Sequence, residues 1–117
     1  MRILVLIFSL LLLMPPSVAS AHAFLDHSSP LVGSIVATAP HAVSLSFTQN
    51  LEPAFSSVEV TNSSGARVDV GKPQISGNSM SVGLKPLSPG TYRVRWRALS
   101  VDTHTTQGSF TFQVGGR

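Results

Sequence analysis

The chain has 117 residues, of which 43% are hydrophobic and 11% are charged, with no cysteine and a formal net charge of +3 at pH 7. Without cysteine, neither a disulfide framework nor a thiolate metal site is available. A chain this short, without a long apolar segment, excludes a large multidomain enzyme and a polytopic membrane protein, and its modest charge favours neither nucleic acid nor anionic lipid strongly.

The first 21 residues have the three-part layout of a secretory signal peptide. After a basic start comes an apolar run from Ile3 to Met14, and then a stretch of small and polar residues that ends at Ala21. The apolar run is too short to span a bilayer, which takes about 20 apolar residues. We therefore expect residues 1–21 to be removed on export and the mature chain to contain no membrane span.

The position of cleavage decides which residue begins the mature chain. The last three residues of the leader form a small-x-small recognition sequence, so cleavage is predicted after Ala21. This leaves a single domain of residues 22–117 that begins at His22. Cleavage after Ala23 also satisfies the rule and stays open as an alternative, and it would discard this histidine.

Alternation of apolar and polar residues with a period of two recurs along the mature domain. Such alternation predicts strands with one buried face, and turn-forming residues such as those at 62–65 and 88–90 separate the strands. The apolar residues of these segments are, in chain order, Val43, Leu45 and Phe47; Val58 and Val60; Met80, Val82 and Leu84; Tyr92, Val94, Trp96 and Ala98; and Phe110, Phe112 and Val114.

The number and spacing of these segments indicate the fold class. About seven short strands without crossover helices predict an all-β domain, a small antiparallel Greek-key β-sandwich or barrel. Trp96 is expected to pack in its core with Tyr92 beside it. The stretch Leu51–Ser57 is compatible with a single helical turn.

Three arginines form a local basic stripe within one predicted strand. Arg93, Arg95 and Arg97 alternate with apolar residues, so they are expected to line the outer face of the strand. A solvated outer face is the simpler interpretation of this stripe. A docking patch for an acidic partner is the alternative.

Asp102 and His104 are the most informative pair of candidate metal ligands. Thr103 separates them, so in an extended backbone both side chains would leave the same face with Cα atoms roughly 6.5 Å apart, close enough to meet on one ion. The free amine and the imidazole of an N-terminal His22 would add two nitrogens. Three nitrogens and one oxygen suit a tetragonal Cu(II) site. An Asp-x-His pair alone is a weak signal, and an ordinary surface pair remains the alternative.

Several segments of the mature domain resemble a known family. These segments are His22–Leu25, Pro30–Ser34, Leu45–Thr48 and, above all, Gly90–Val114, which contains the series G-x-Y-x-V-x-W, S-x-D-x-H and G-x-F-x-F-x-V. On these residues the chain resembles the CopC/PcoC family of periplasmic copper-binding proteins over essentially the whole mature domain. The resemblance implies a cupredoxin-like or Ig-like β-barrel.

The resemblance also implies a ligand set and a role. In the family, Cu(II) is held by the amine and ring of the N-terminal histidine and by the Asp and His of the D-x-H motif, positions that correspond here to His22, Asp102 and His104. A monomeric periplasmic protein of copper homeostasis and resistance is therefore expected. It would bind one Cu(II) ion and deliver it to a CopD-type inner-membrane partner.

Two positions depart from the family pattern. Some members have a methionine-rich Cu(I) site, whereas the mature domain here has only Met80, which is expected to fill the core. Members often have a glutamate where this chain has Gln49, whose amide could still orient a ligand through a hydrogen bond. The remaining histidines, His27 and His41, lie next to predicted turns and are expected to be solvated.

Two other functions stay open at this point. Copper monooxygenases also use an N-terminal histidine, but they need an open position on the metal for oxygen or substrate. A structural β-sandwich module without copper would make Asp102 and His104 a surface pair only. The copper-carrier hypothesis, without enzymatic activity, is the leading one.

Overall fold

The computed structural model describes residues 23–115, which form two four-stranded β-sheets around one core. The predicted signal peptide, residues 1–21, and the predicted ligand His22 lie outside the described residues. The strands are β1 (Leu25–Ser29), β2 (Ile35–Val36), β3 (Ala42–Phe47), β4 (Ser57–Thr61), β5 (Asp69–Ser76), β6 (Ser79–Leu84), β7 (Gly90–Leu99) and β8 (Thr105–Val114), and a 3₁₀ turn covers Pro53–Phe55.

The two sheets combine strands that are distant in the sequence. One sheet has the order β1-β3-β6-β5 and the other the order β2-β8-β7-β4. Among the described strands, only β2 and β8 pair in parallel, through Ile35 with Gln113 and Val36 with Val114. The all-β Greek-key sandwich is therefore confirmed, with eight strands and one parallel pair. Within the described chain, no helix has the length and apolar character needed to cross a membrane.

The core lies between the sheets, and the predicted alternating faces supply most of it. Phe47, Val94 and Phe112 are at most 1% exposed, and Met80 is also 1% exposed, as expected for a methionine that fills the core. Burying these side chains favours folding by about 1.5–3 kcal/mol for each large one. Because the chain has no cysteine, this packing is the main source of its stability.

The two large aromatic residues of β7 pack against different partners. Tyr92 is buried and stacks on Phe112, with ring centroids 5.6 Å apart. Trp96 is only half-buried, meets Phe47 edge-on at 5.1 Å, and covers Gly108, where a Cβ would lie 2.7 Å from the indole ring. Trp96 therefore packs against the core, as expected. The expectation that Tyr92 lies beside it is wrong, because residues four apart on a strand are roughly 13 Å apart along its axis.

Candidate metal centre

The two candidate ligands of the described chain lie in the loop that joins β7 to β8. Strand pairing ends at Leu99 and Thr105, and the Ser100 N–H donates to the His104 carbonyl at 3.0 Å, which closes a three-residue loop. Thr103, the last residue of this loop, has a φ of +75°. Three-residue hairpin loops commonly need this left-handed conformation at that place, and a β-branched residue rarely adopts it.

Asp102 and His104 meet through this tight turn. The expectation of an extended backbone between them is wrong, because the left-handed Thr103 reverses the chain there. The side chains are nevertheless close, with 3.4 Å between Asp102 Oδ1 and His104 Nδ1, and they are 38% and 54% exposed. Both atoms can reach one ion from the solvent side, since metal–ligand bonds to such atoms are about 2 Å long.

A buried serine holds the Asp102 carboxylate in place. Ser100 is 0% exposed, and its hydroxyl donates to Asp102 Oδ1 and lies 3.2 Å from the His104 carbonyl oxygen. The Ser100 hydrogen bond, together with His104, lowers the pKa of Asp102 below its ordinary value despite some desolvation. The carboxylate is therefore ionised at neutral pH, the form that binds metal.

The start of the described chain is anchored at the same end of the sandwich. The Thr106 hydroxyl donates to the carbonyl of Ala23, which is 0% exposed. Phe24 is held next to it, because its N–H donates to Thr48 Oγ1 and its carbonyl accepts from the Thr48 N–H, both at 2.9 Å. Since Thr106 follows His104 by two residues, roughly 7 Å along an extended chain, the N-terminal segment is fixed close to the candidate ligands.

A complete metal centre needs a donor beyond Asp102 and His104. The described residues contain no group of three or more His, Cys, Asp or Glu side chains that could hold an ion. His22, the third ligand predicted from the sequence, lies outside the described residues. It is joined covalently to Ala23, the residue that Thr106 anchors.

Gln49 lies in a segment that connects the N-terminal region to the loop between β7 and β8, residues 100–104, which we call the ligand loop. It is half-buried, and Thr48 on one side is bonded to Phe24. On the other side, the Asn50 carbonyl accepts the N–H of Val101 at 3.1 Å. This placement suits a residue that supports the ligands, and the role of the Gln49 side chain stays a prediction.

The other histidines are exposed, as the sequence predicts. His27 Nδ1 lies 3.1 Å from Asp26 Oδ2, and the two side chains are 78% and 53% exposed. His41 is also exposed. The Asp26–His27 pair therefore offers the same two functional groups as the ligand loop, but on strand β1.

Comparisons with known proteins identify the family. The model of the CopC domain matches residues 25–115. Copper resistance protein C of Xanthomonas campestris pv. juglandis is 40% identical over 111 residues, which cover 84% of this chain and 87% of that protein. The copper transport protein CutJ of Bacillus subtilis is 36% identical over 114 residues, which cover 94% of this chain but only 21% of CutJ. This chain thus spans about a fifth of the length of that relative.

A solved structure agrees with these matches. The crystal structure of PcoC, described as a methionine-rich copper resistance protein from Escherichia coli, is 39% identical and has a TM-score of 0.72. The match covers 80% of this chain and 99% of PcoC. This chain differs in that Met80, its one described methionine, is buried in the core. By sequence and by fold, the chain belongs to the CopC family, whose matched relatives are named for copper resistance and copper transport.

Proposed function

We propose that this protein binds one Cu(II) ion in the periplasm and hands it to a CopD-type inner-membrane copper transport protein. The ligands are the amine and imidazole of a mature N-terminal His22, the carboxylate of Asp102 and the imidazole of His104. This set of three nitrogens and one oxygen suits the tetragonal geometry of Cu(II). Buried Met80 offers no thioether for a separate Cu(I) site.

The main support for this proposal is the hydrogen bond from the Thr106 hydroxyl to the Ala23 carbonyl, which we call the anchor. The anchor fixes the residue that follows His22 to the strand that begins just after His104. Because the neighbouring chain is already ordered, bringing the new N-terminus to the metal costs little conformational freedom. Cleavage after Ala21 would therefore create the amine beside the two side chains with which it binds copper.

The donor set favours a carrier over an enzyme. Amine, two imidazoles and one carboxylate would fill the equatorial plane of Cu(II), whereas a copper monooxygenase needs an open position for oxygen or substrate. The His104 side chain is 54% exposed, so an incoming ligand of a membrane partner can replace it. The copper resistance and copper transport proteins among the relatives support this role.

Intact-mass measurement of the secreted protein, with and without Cu(II) under non-denaturing conditions, tests the proposal. We expect a chain that begins at His22 and a mass increase equal to one copper ion. A mature chain that begins at Phe24 would remove the proposed amine and imidazole. A chain that begins at His22 but gains no copper would favour a structural module instead.

Thr106→Val tests the anchor itself. The substitution keeps the branched shape and removes the hydroxyl that holds Ala23, a hydrogen bond worth about 1 kcal/mol. We expect Cu(II) affinity to fall by roughly 5-fold to 10-fold, since that free energy must now be spent on ordering the N-terminus. Competition with a chelator measures the change. Thr111→Val, on the outer face of the same strand, is the control and should bind like wild type; an unchanged affinity of Thr106→Val would contradict the role of the anchor.

A further inference from the structure

The outer face of the β2-β8-β7-β4 sheet gathers all four arginines of the described residues. We call it the basic face, and its residues are Arg67, Arg93, Arg95 and Arg97. The three on β7 are exposed at alternate positions. Both lysines lie elsewhere, Lys72 in β5 of the other sheet and Lys85 just after β6. Within residues 23–115, arginine is thus concentrated on one face, whereas lysine is not.

In the part of the chain that the structure describes, carboxylates neutralise only one side of the basic face. Arg67 Nη1 lies 3.1 Å from Glu59 Oε1, and its Nη2 lies 2.8 Å from Asp69 Oδ2. The second Glu59 oxygen lies 3.8 Å from Arg95 Nη1. The Arg67 hydrogen bond lowers the pKa of Asp69 below its ordinary value despite desolvation, so this carboxylate is ionised at neutral pH. Two carboxylates therefore face four guanidinium groups.

On the other side of the basic face, Arg93 and Arg97 carry positive charge that no nearby carboxylate of residues 23–115 neutralises. Among the described residues, neither Arg93 nor Arg97 has a carboxylate within ion-pair distance, and Arg93 Nη1 reaches only the Ser109 hydroxyl at 3.5 Å. Alternate residues of a strand repeat every 7 Å or so, and each guanidinium can bind a carboxylate through two parallel hydrogen bonds. A groove of about 380 Å³ next to Trp96 lies between Arg97 and the paired Arg67 and Arg95, and the Glu59 carboxylate also lines it.

The basic face adjoins the candidate metal centre. Arg97 precedes Ser100 by three residues, so it lies roughly 10 Å along β7 from the ligand loop. Positive charge repels Cu(II), so the arginines do not serve to attract the ion. A partner that binds them, however, is held next to the end of the sandwich where copper would be bound.

We infer that the basic face docks a carboxylate-rich surface of the protein that receives copper from this chain. The inference rests on the proposed carrier function and names the chemistry of the acceptor. Arg93 and Arg97, which have no carboxylate within ion-pair distance among the described residues, and the regular repeat of arginines along β7 provide charge and spacing for carboxylates. Such charge complementarity speeds and orients the encounter of two proteins. In CutJ, a domain similar to this chain is part of a much longer copper transport protein, which supports a larger transport protein as the partner.

A titration with a synthetic extended peptide that has glutamate at alternate positions tests this surface. We expect weak binding whose backbone amide shifts are confined to β4, β7 and β8, and which weakens several-fold from low to physiological salt. The double variant Arg93→Ser, Arg97→Ser should lose at least about tenfold in affinity, because it removes both arginines without carboxylate partners. The matched control Lys72→Ser, Lys85→Ser removes the same charge and should bind like wild type.

Two results would overturn the inference. An equal loss of peptide affinity in the arginine variant and in the lysine variant would mean that net charge alone attracts the peptide. Tight binding to phosphatidylglycerol vesicles, lost in the arginine variant only, together with no peptide binding, would make the face a membrane surface.

Cu(II) titration of the same variants separates this inference from the proposed function. We expect the arginine variant to bind copper like wild type. If the wild-type chain bound no copper, the proposed carrier function would be wrong, whatever the result of the peptide titration. Loss of copper affinity in the arginine variant alone would overturn the separation between the docking face and the metal centre.

Discussion

Acetylation of the mature N-terminus, or its extension by one glycine before His22, is expected to weaken Cu(II) binding by at least about 100-fold. An acylated nitrogen is no longer a basic amine, so copper loses one ligand and the chelate ring that joins the amine to the His22 imidazole. Replacing a residue that merely supports a ligand already costs about 10-fold to 100-fold in metal affinity, and losing a ligand costs more. Competition with a chelator of known affinity measures the change.

The control for this experiment is a glycine added at the other end, after Arg117. It lengthens the chain equally and leaves the amine free, so copper affinity should not change. Thermal unfolding of the apo proteins should give similar midpoints, because neither extension changes a side chain of the core. If the N-terminally extended protein bound copper with undiminished affinity, the amine of His22 would have to be removed from the ligand set.

Most of the fold is predictable from the sequence because most strands bury one face. The alternation around Val43, Val94 and Phe112 marks strands whose inward residues are almost fully buried. Strand β5 gives no such pattern, since Gly71 and Pro73 interrupt it and it pairs irregularly with β6. Strand β2 has two residues and pairs in parallel with the distant β8. Neither its length nor its partner can therefore be predicted from the local sequence.

The closeness of Asp102 and His104 was predictable from the sequence, but the geometry of the turn between them was not. Asp102 and His104 stand out by spacing, but the left-handed Thr103 between them carries no turn signal, because glycine or asparagine is usual there. Ser100 is the first residue of the S-x-D-x-H motif, but the motif alone does not indicate that it is buried and bonded to Asp102. The Thr106 bond to Ala23 joins residues that are 83 positions apart, so no local pattern could reveal it.

Removing the Asp–His pair of the ligand loop is expected to have the other large effect. In Asp102→Asn, His104→Ala, copper loses two of its four ligands, and affinity should fall by at least about 100-fold. Both side chains are partly exposed, and an asparagine oxygen can still accept the Ser100 hydroxyl, so the fold should survive. Cu(II) titration measures affinity, and thermal unfolding checks the fold.

The chain contains its own matched control for this experiment. Asp26 and His27 bring a carboxylate and an imidazole within 3.1 Å, closer than the 3.4 Å between Asp102 and His104. If a carboxylate close to an imidazole were enough to bind copper, removing either Asp–His pair would lower copper affinity by the same factor. If the N-terminus completes the site, Asp26→Asn, His27→Ala should stay within about 3-fold of wild type. Equal losses in the two double variants would mean that copper binds surface Asp–His pairs in general, and Asp102 and His104 would lose their assignment.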